Sequence, residues 1–488
     1  MPKKRISANQ QKSKKETKEK SKITHQDTPI DVSAVRKIFE KRVINRIAKT
    51  SGFVKRVRKM TPYSFFLSLS FGALKSSTVT LSSIVETMSG NISAAGVHER
   101  FSKEACDFFK NVYSFCFKKI TSNRNSINVT KLNKFNHINI VDSSSWEIPV
   151  KLKEAFAGYK GAGCKVQVMI DYKTGIMNLL DITEQNYNDQ KYTKQMDDYI
   201  EKDDLILTDL GYNIPTWLKK IDEKKGYFIS RLNAFAMKLY LKKGKSFLAV
   251  DVLEIMKTVG TNDTMVEIEC YGGNRKEKVK IRLVGMKVSE EIVNKRRRTL
   301  KRKAAKKCRK LTKRIIELSK WSFYITNIPK EKELTARDIV AFYSVRWNVE
   351  LYFKQLKSVL CMHKTEVRKN EYRLQCEIIG KFIVGLFISY CYGMARSYLW
   401  EKKKTEISFE KTVKLFHRMG SGILLLLLLG SIRKIKEFTE NLIYIVIQTC
   451  KKYRQKSRKN TLDMLIEGTI YGQYKYVKIK PSQLMCLT

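Results

Sequence analysis

The stretch YSVRWNVELYFKQLK, Tyr343 to Lys357, has the apolar spacing of an amphipathic helix, yet an arginine, a glutamate and two lysines are set into it. At about 100° of rotation per residue, Tyr343, Arg346, Glu350 and Lys357 fall within an arc of roughly 60°, with Lys354 beside them. One reading is a solvated ladder of Arg346–Glu350 and Glu350–Lys354 pairs; the other is a polar face built for a ligand. What precedes the helix in the chain decides between them.

Two apolar strands upstream each end in an aspartate. HINIVD closes on Asp142, and DLILTDLGYN carries Asp209 at the end of its apolar run. Between them, KVQVMIDYKTGIMNLLDIT reads as a hairpin turned at Lys173–Gly175, and YTKQMDDYIEKD as a helix. Strand, hairpin, helix, strand is the opening of a mixed α/β sheet, where ligands are handled at the carboxyl ends of strands. Asp142, Asp209 and Glu350 together supply three carboxylates. Such a set suffices to hold two Mg²⁺ ions about 3.5–4 Å apart for in-line attack on a phosphodiester. Arg346 and Lys357 then hold phosphates while Glu350 holds metal.

The charge balance fits an anionic partner. The chain has 488 residues with 96 Lys+Arg against 47 Asp+Glu, a formal net charge of +49. An excess of that size repels itself in a compact fold unless a polyanion offsets it, and nucleic acid is the commonest such partner. An anionic membrane is the rival, but the apolar runs Ile423–Leu429 and Phe382–Ala395 are shorter than the roughly 18–20 residues that span a bilayer. Both read as buried helices. The ten cysteines contain no C-x-x-C pair, and the N-terminus lacks the apolar stretch of a secretory signal, which points to a reducing cytoplasm.

Residues 1–30 read as a disordered basic arm. Helical spacing follows, with the outline of a helix-turn-helix from Leu81 to Ser89, a turn at Gly90–Asn91, and a second helix from Ser93 to near Phe101. MVEIECYGGNRKEKVKIRLVGMKV reads as a two-stranded ribbon turned at Gly272–Gly273. KRRRTLKRKAAKKCRK, Lys295–Lys310, is the densest basic run; it reads as a phosphate grip, with a merely solvated helix as the alternative.

Y-x2-R-x3-E-x6-K, met by Tyr343, Arg346, Glu350 and Lys357, resembles the signature of the DDE transposases of the insertion sequence four family. DSSSW from Asp142 and DLGY from Asp209 resemble that family's two aspartate motifs. YFISRLN (Tyr227–Asn233) and YITNIP (Tyr324–Pro329) resemble its strands flanking an insertion. The resemblance covers roughly residues 45–400.

It implies an α/β fold: an RNase H-like catalytic core interrupted by a β-rich insertion, with a helical N-terminal DNA-binding region and a helical C-terminal region. The expected parts are the arm (1–30), a DNA end-binding domain (31–130), the core's first part (131–212), the insertion with its basic run (213–320), the core's second part (321–400), and a helical C-terminal region (401–488) read as core completion or dimerisation.

In this resemblance Asp142, Asp209 and Glu350 are catalytic and bind two Mg²⁺ ions, with Mn²⁺ as a substitute. Tyr343, Arg346 and Lys357 match residues that contact phosphates, and Lys354, Arg296, Arg297 and Arg298 are further candidate DNA contacts. Trp321 is the candidate for stacking an extruded base, with core packing as its alternative; Trp347 is a second aromatic that can meet DNA. The implied activity is cut-and-paste transposition: strand hydrolysis at the element's ends, hairpin formation and opening, and joining to target DNA. The implied partners are double-stranded DNA, ends and target, and a second copy in a synaptic complex, with no membrane, in a bacterial cytoplasm near the nucleoid. A metal-dependent nuclease or resolvase, and a DNA binder whose acids are structural, are the competing readings.

Overall fold

The computed structural model describes residues 31–479 except 55–59, 89–91, 123–125, 233, 235–236, 258–263, 454–458 and 471–474. The expected basic arm and the Gly90–Asn91 turn lie outside the described residues.

β1 (Ile138–Ile148), β2 (Ala162–Asp171) and β3 (Met177–Glu184) form an antiparallel meander. β4 (Leu205–Thr208) and β5 (Tyr227–Arg231) extend the other edge of β1 in parallel. The chain then builds β6 (Lys238–Lys243), β7 (Ser246–Val250), β8 (Thr264–Gly273) and β9 (Lys278–Lys287), and returns as β10 (Trp321–Thr326), antiparallel to both β5 and β9. The strand order is β3-β2-β1-β4-β5-β10-β9-β8-β6-β7.

β4 and β5 are apolar at nearly every position because both faces of the sheet are covered. Leu205, Leu207 and Ile229 face one core with the N-terminal helices, the helices of residues 336–358 and the long helix Glu371–Lys403; Ile206 and Phe228 face a second core with Trp217, Ile221 and strands β6, β8 and β9. The helix Glu371–Lys403 is long and apolar enough to cross a membrane, longer than the run Phe382–Ala395 suggests, but its apolar window is wholly buried within the protein. Ile423–Leu429 is only partly buried: Ile423, Leu424 and Leu427 pack inward while Leu425 and Leu429 are exposed.

Several elements differ from the sequence expectation, each for a tertiary reason. β1 runs six residues past Asp142, because β2 pairs with it throughout, to Ile148 opposite Ala162. YTKQMDDYIEKD forms only the end of a four-residue helix and two 3₁₀ turns. The β8–β9 turn falls at Asn274–Glu277, where Asn274 Oδ1 accepts from the backbone N–H groups of Lys276 and Glu277, so Gly272 and Gly273 stay in the ladder. The second helix of the helix-turn-helix outline is five residues, Ala94–His98. β5, which lies beyond residue 213, belongs to the parallel layer, so the parallel strands run on to Arg231. The C-terminal region is not helical throughout: β11 (Lys475–Ile479) joins β8 in parallel, and Tyr476 Oη donates to Glu267 at 2.6 Å.

Candidate active site

The register of the parallel strands brings the two aspartates together. β1 pairs with β4 at an offset of 67 residues, Ile138 with Leu205 and Ile140 with Leu207, and the same offset separates Asp142 from Asp209. Both side chains therefore sit just beyond the parallel ladder, on neighbouring strands about 4.8 Å apart. With the period of two along each strand, they share a face with Ile140 and Leu207. The helices that carry the signature cover that face.

Those helices are two, Ala336–Val345 and Trp347–Ser358, joined at Arg346. Arg346 N–H bonds to Tyr343 O, and Val349 N–H to Arg346 O, both with the tight three-residue spacing. The Val345 carbonyl, released by this tightening, accepts from Asn348 Nδ2 at 2.7 Å. A side chain thus takes a carbonyl out of the helical ladder, and the helix breaks at Arg346. Arg346, at this break, lies between two carboxylates: Nη2 is 2.8 Å from Glu350 Oε1 and Nη1 is 3.5 Å from Asp142 Oδ2.

Burial, with Asp209 and Glu350 beside it, pushes the Asp142 carboxyl up to about 6, against the lowering pull of the Ser143 N–H and Arg346. The charges that face it from β4 and the signature helix thus converge on one cleft. Asp209 Oδ1 accepts from Gly211 N–H at 2.7 Å, which holds the carboxylate toward its neighbours. A Cβ at Gly211 would stand 3.0 Å from that same oxygen. On the activity that the resemblance implies, Gly211→Ala is therefore expected to displace Asp209 and slow strand cleavage by about 10–10²-fold with little change in melting temperature, as read by single-turnover kinetics and thermal unfolding. Tyr212 Oη donates to Gln167 Oε1 at 2.7 Å and anchors the turn in the second core.

Two buried polar atoms here have no hydrogen-bond partner, Tyr343 Oη and Arg346 Nε. The Arg346 guanidinium lies over the Tyr343 ring at 5.8 Å, and burial pushes the Tyr343 hydroxyl up to about 12. Two carboxylates on one guanidinium, a third on the neighbouring strand, and unsatisfied donors beside them are a donor set that fits divalent ions and an anionic ligand.

Other expected site residues separate into two groups. Lys357 Nζ donates to Ser145 O at 3.1 Å, so it reaches β1 three residues past Asp142. Trp347 is 58% exposed beside Arg346, and Lys354 is exposed. Trp321 does not line the cleft: it is 8% exposed and stacks on Phe323 in the second core, since its place on β10 turns it away from the Tyr324 face. Arg296 is likewise committed inward, donating to Ser319 O, Trp321 O and Ser322 Oγ. Arg297 is half-buried and Arg298 is exposed.

A different cluster, His137, Glu201 and Asp204, also brings ligand-type atoms close together. It lies at the opposite, amino ends of β1 and β4. The Asp204 carboxylate there already meets His137 N–H and Nδ1, Asn139 Nδ2 and Glu201 N–H, so it serves to clamp the strand starts.

The family described as Transposase DDE domain matches residues 133–386, which include Asp142, Asp209, Glu350 and the whole signature. The chain belongs to the DDE transposase family and is an enzyme of metal-dependent DNA cleavage and strand transfer. Among proteins it is similar to, the transposase for insertion sequence element IS231B of Bacillus thuringiensis subsp. berliner is 27% identical over 460 residues, covering 90% of this chain and 94% of that protein. The transposase for IS1151 of Clostridium perfringens is 26% identical over 472 residues, covering 92% of this chain and 96% of its own. Membership in an enzyme family sets aside the reading as a non-enzymatic DNA binder.

Proposed function

We propose that Asp142, Asp209 and Glu350 are the catalytic carboxylates of an RNase H-like core and hold two divalent ions, Mg²⁺ or Mn²⁺ in its place. When bound, such ions neutralise the transferring phosphate and activate water or a 3′-OH for in-line attack. The observation that carries this reading is the in-register pair Asp142–Asp209 with Arg346 bridging to Glu350. A sheet whose parallel strands end in these acids, flanked by an antiparallel meander, supports the core assignment.

The chain's own groups then do the positioning. Arg346 leaves the carboxylates for a phosphate oxygen; its guanidinium can bind two such oxygens at once. Tyr343 Oη, already buried without a partner, donates to the same strand. Lys357 holds a neighbouring phosphate from the far end of the helix, and the exposed Trp347 lies where the DNA enters. Helices of residues 31–130 bind the element's ends, and two copies synapse them so that both are cut together. The steps are strand hydrolysis, hairpin formation by the freed 3′-OH, hairpin opening and joining to target DNA, carried out at the nucleoid of a bacterial cell. The relatives are named as insertion-sequence transposases, which supports an insertion sequence as the element served.

Incubation with Mg²⁺ and labelled duplex bearing the element's own ends tests this. Wild type is expected to give nicked, hairpin-capped and joined products, and Glu350→Gln none. Nicked product without hairpin or joined DNA supports a plain nuclease, and equal activity in both proteins removes Glu350 from the reaction.

A further inference from the structure

The row that carries the aspartates continues across the sheet. β4 and β5 pair at an offset of 22 residues, Leu205 with Tyr227 and Leu207 with Ile229, and the same offset places Arg231 beside Asp209. Across the next ladder Arg231 pairs with Tyr324, whose ring lies 5.1 Å from that of Tyr343. Asp142, Asp209, Arg231 and Tyr324 thus form one row on the face covered by the signature helices. Arg231 is half-buried, and no carboxylate among the described residues lies within ion-pair distance of it.

The same end of the sheet is crossed by the basic helix Glu290–Lys306. β10 runs antiparallel to β5, so its first residues, Trp321 and Ser322, extend past Arg231 at the catalytic edge. Arg296 pins the helix there through its three hydrogen bonds to Ser319, Trp321 and Ser322. Val293, Arg297, Leu300 and Ala304 form the helix's inward face and are buried or half-buried. Lys295, Arg298, Arg302 and Lys306 lie on the opposite face, all exposed, and none makes an ion pair among the described residues. Four cations spaced over 11 positions span about 16 Å, close to the length of five base-pair steps at about 3.4 Å each.

We propose that Arg231 and this outer face form a continuous track for the DNA backbone leaving the carboxylate cleft. The inference rests on the DNA-cleaving reading above and extends it by naming where the duplex runs. A stripe of unpaired cations with regular helical spacing, starting one strand from the metal-binding pair, fits a phosphate backbone. An acidic protein surface would not require it to begin at the site of phosphate chemistry.

The test is equilibrium binding of full-length protein to a duplex bearing the element's own ends, in chelator, over a series of salt concentrations. Each phosphate that a variant no longer neutralises should lower the slope of log K against log salt by about one. The triple variant Arg298→Ala, Arg302→Ala, Lys306→Ala is expected to lower it by about two to three and to weaken binding about 10–10²-fold at fixed salt. Arg231→Gln is expected to lower it by about one. If Arg231→Gln fails to fold, the triple variant, confined to exposed side chains, carries the test. Unchanged slopes in folded variants overturn the track. Wild type that cleaves while the variants' slopes are unchanged removes the track alone; altered slopes with cleavage insensitive to Glu350→Gln remove the catalytic assignment alone. Wild type with no salt-dependent binding removes both.

Discussion

Asp142→Asn is expected to melt at a higher temperature than wild type in chelator at pH 7.5, while strand cleavage falls by more than about 10³-fold. The carboxyl of Asp142 is raised from 3.8 to about 6, first by burial and then by Asp209 and Glu350, with Ser143 N–H and Arg346 opposing. A folded-state value above the unfolded one means that the folded protein binds the proton more tightly. Stability from this group is therefore present below about pH 4 and is lost as pH rises through about 6. At about 1.4 kcal/mol per unit, the metal-free protein at neutral pH gives up on the order of 2–3 kcal/mol here. Asparagine carries no proton to lose, so the gap between variant and wild type should be largest above pH 6 and close toward pH 4. Added Mn²⁺ should raise the melting temperature of wild type more than that of the variant. A variant less stable than wild type at pH 7.5 would show that Arg346 outweighs the repulsion.

Arg373→Ala is expected to destabilise the fold by about 3–5 kcal/mol, because it strands a buried carboxylate. Arg373 Nε donates to Glu377 at 3.0 Å and Nη2 to Val79 O at 3.1 Å; Thr365 Oγ1 donates to the other Glu377 oxygen at 2.7 Å. One turn further, Lys381 Nζ donates to Cys361 O and Lys364 O. This ladder ties the long helix Glu371–Lys403 to the loop that follows the signature helix and to the N-terminal helices. Burial raises the Glu377 carboxyl even with Arg373 present, so the variant's deficit should shrink as pH falls and Glu377 takes up a proton. Arg373→Met with Glu377→Leu should recover most of the stability. A single variant as stable as wild type in chemical denaturation would contradict the account of this network.

Much of the candidate site was legible because its signals are local. The spacing of Tyr343, Arg346, Glu350 and Lys357 is a property of one helix stripe, and Asp209 closes an apolar run that only a doubly covered strand tolerates. What depends on pairing between distant segments was not legible. Asp142 sits within β1 and not at its end, because β2 pairs past it. The helix break at Arg346 goes with Asn348 taking a carbonyl, which helical periodicity does not reveal. Arg231 went unassigned since only the β4–β5 register aligns it with Asp209; its place in YFISRLN, 22 residues after that aspartate, was the one available sign. Arg296 looked like its exposed neighbours in a basic run, and its inward bonds to β10 appear only in the fold. The docking of β11 on β8 joins residues some 200 positions apart, beyond the reach of any pattern along the chain.

Diffraction from crystals soaked in Mn²⁺, with anomalous difference maps, tests the central assignment most directly. The account predicts manganese bound among Asp142, Asp209 and Glu350, as two peaks about 3.5–4 Å apart when DNA is present, with Arg346 turned away from Asp142. Manganese seated instead between His137, Glu201 and Asp204, with Asp142 and Glu350 still held by Arg346, would contradict it.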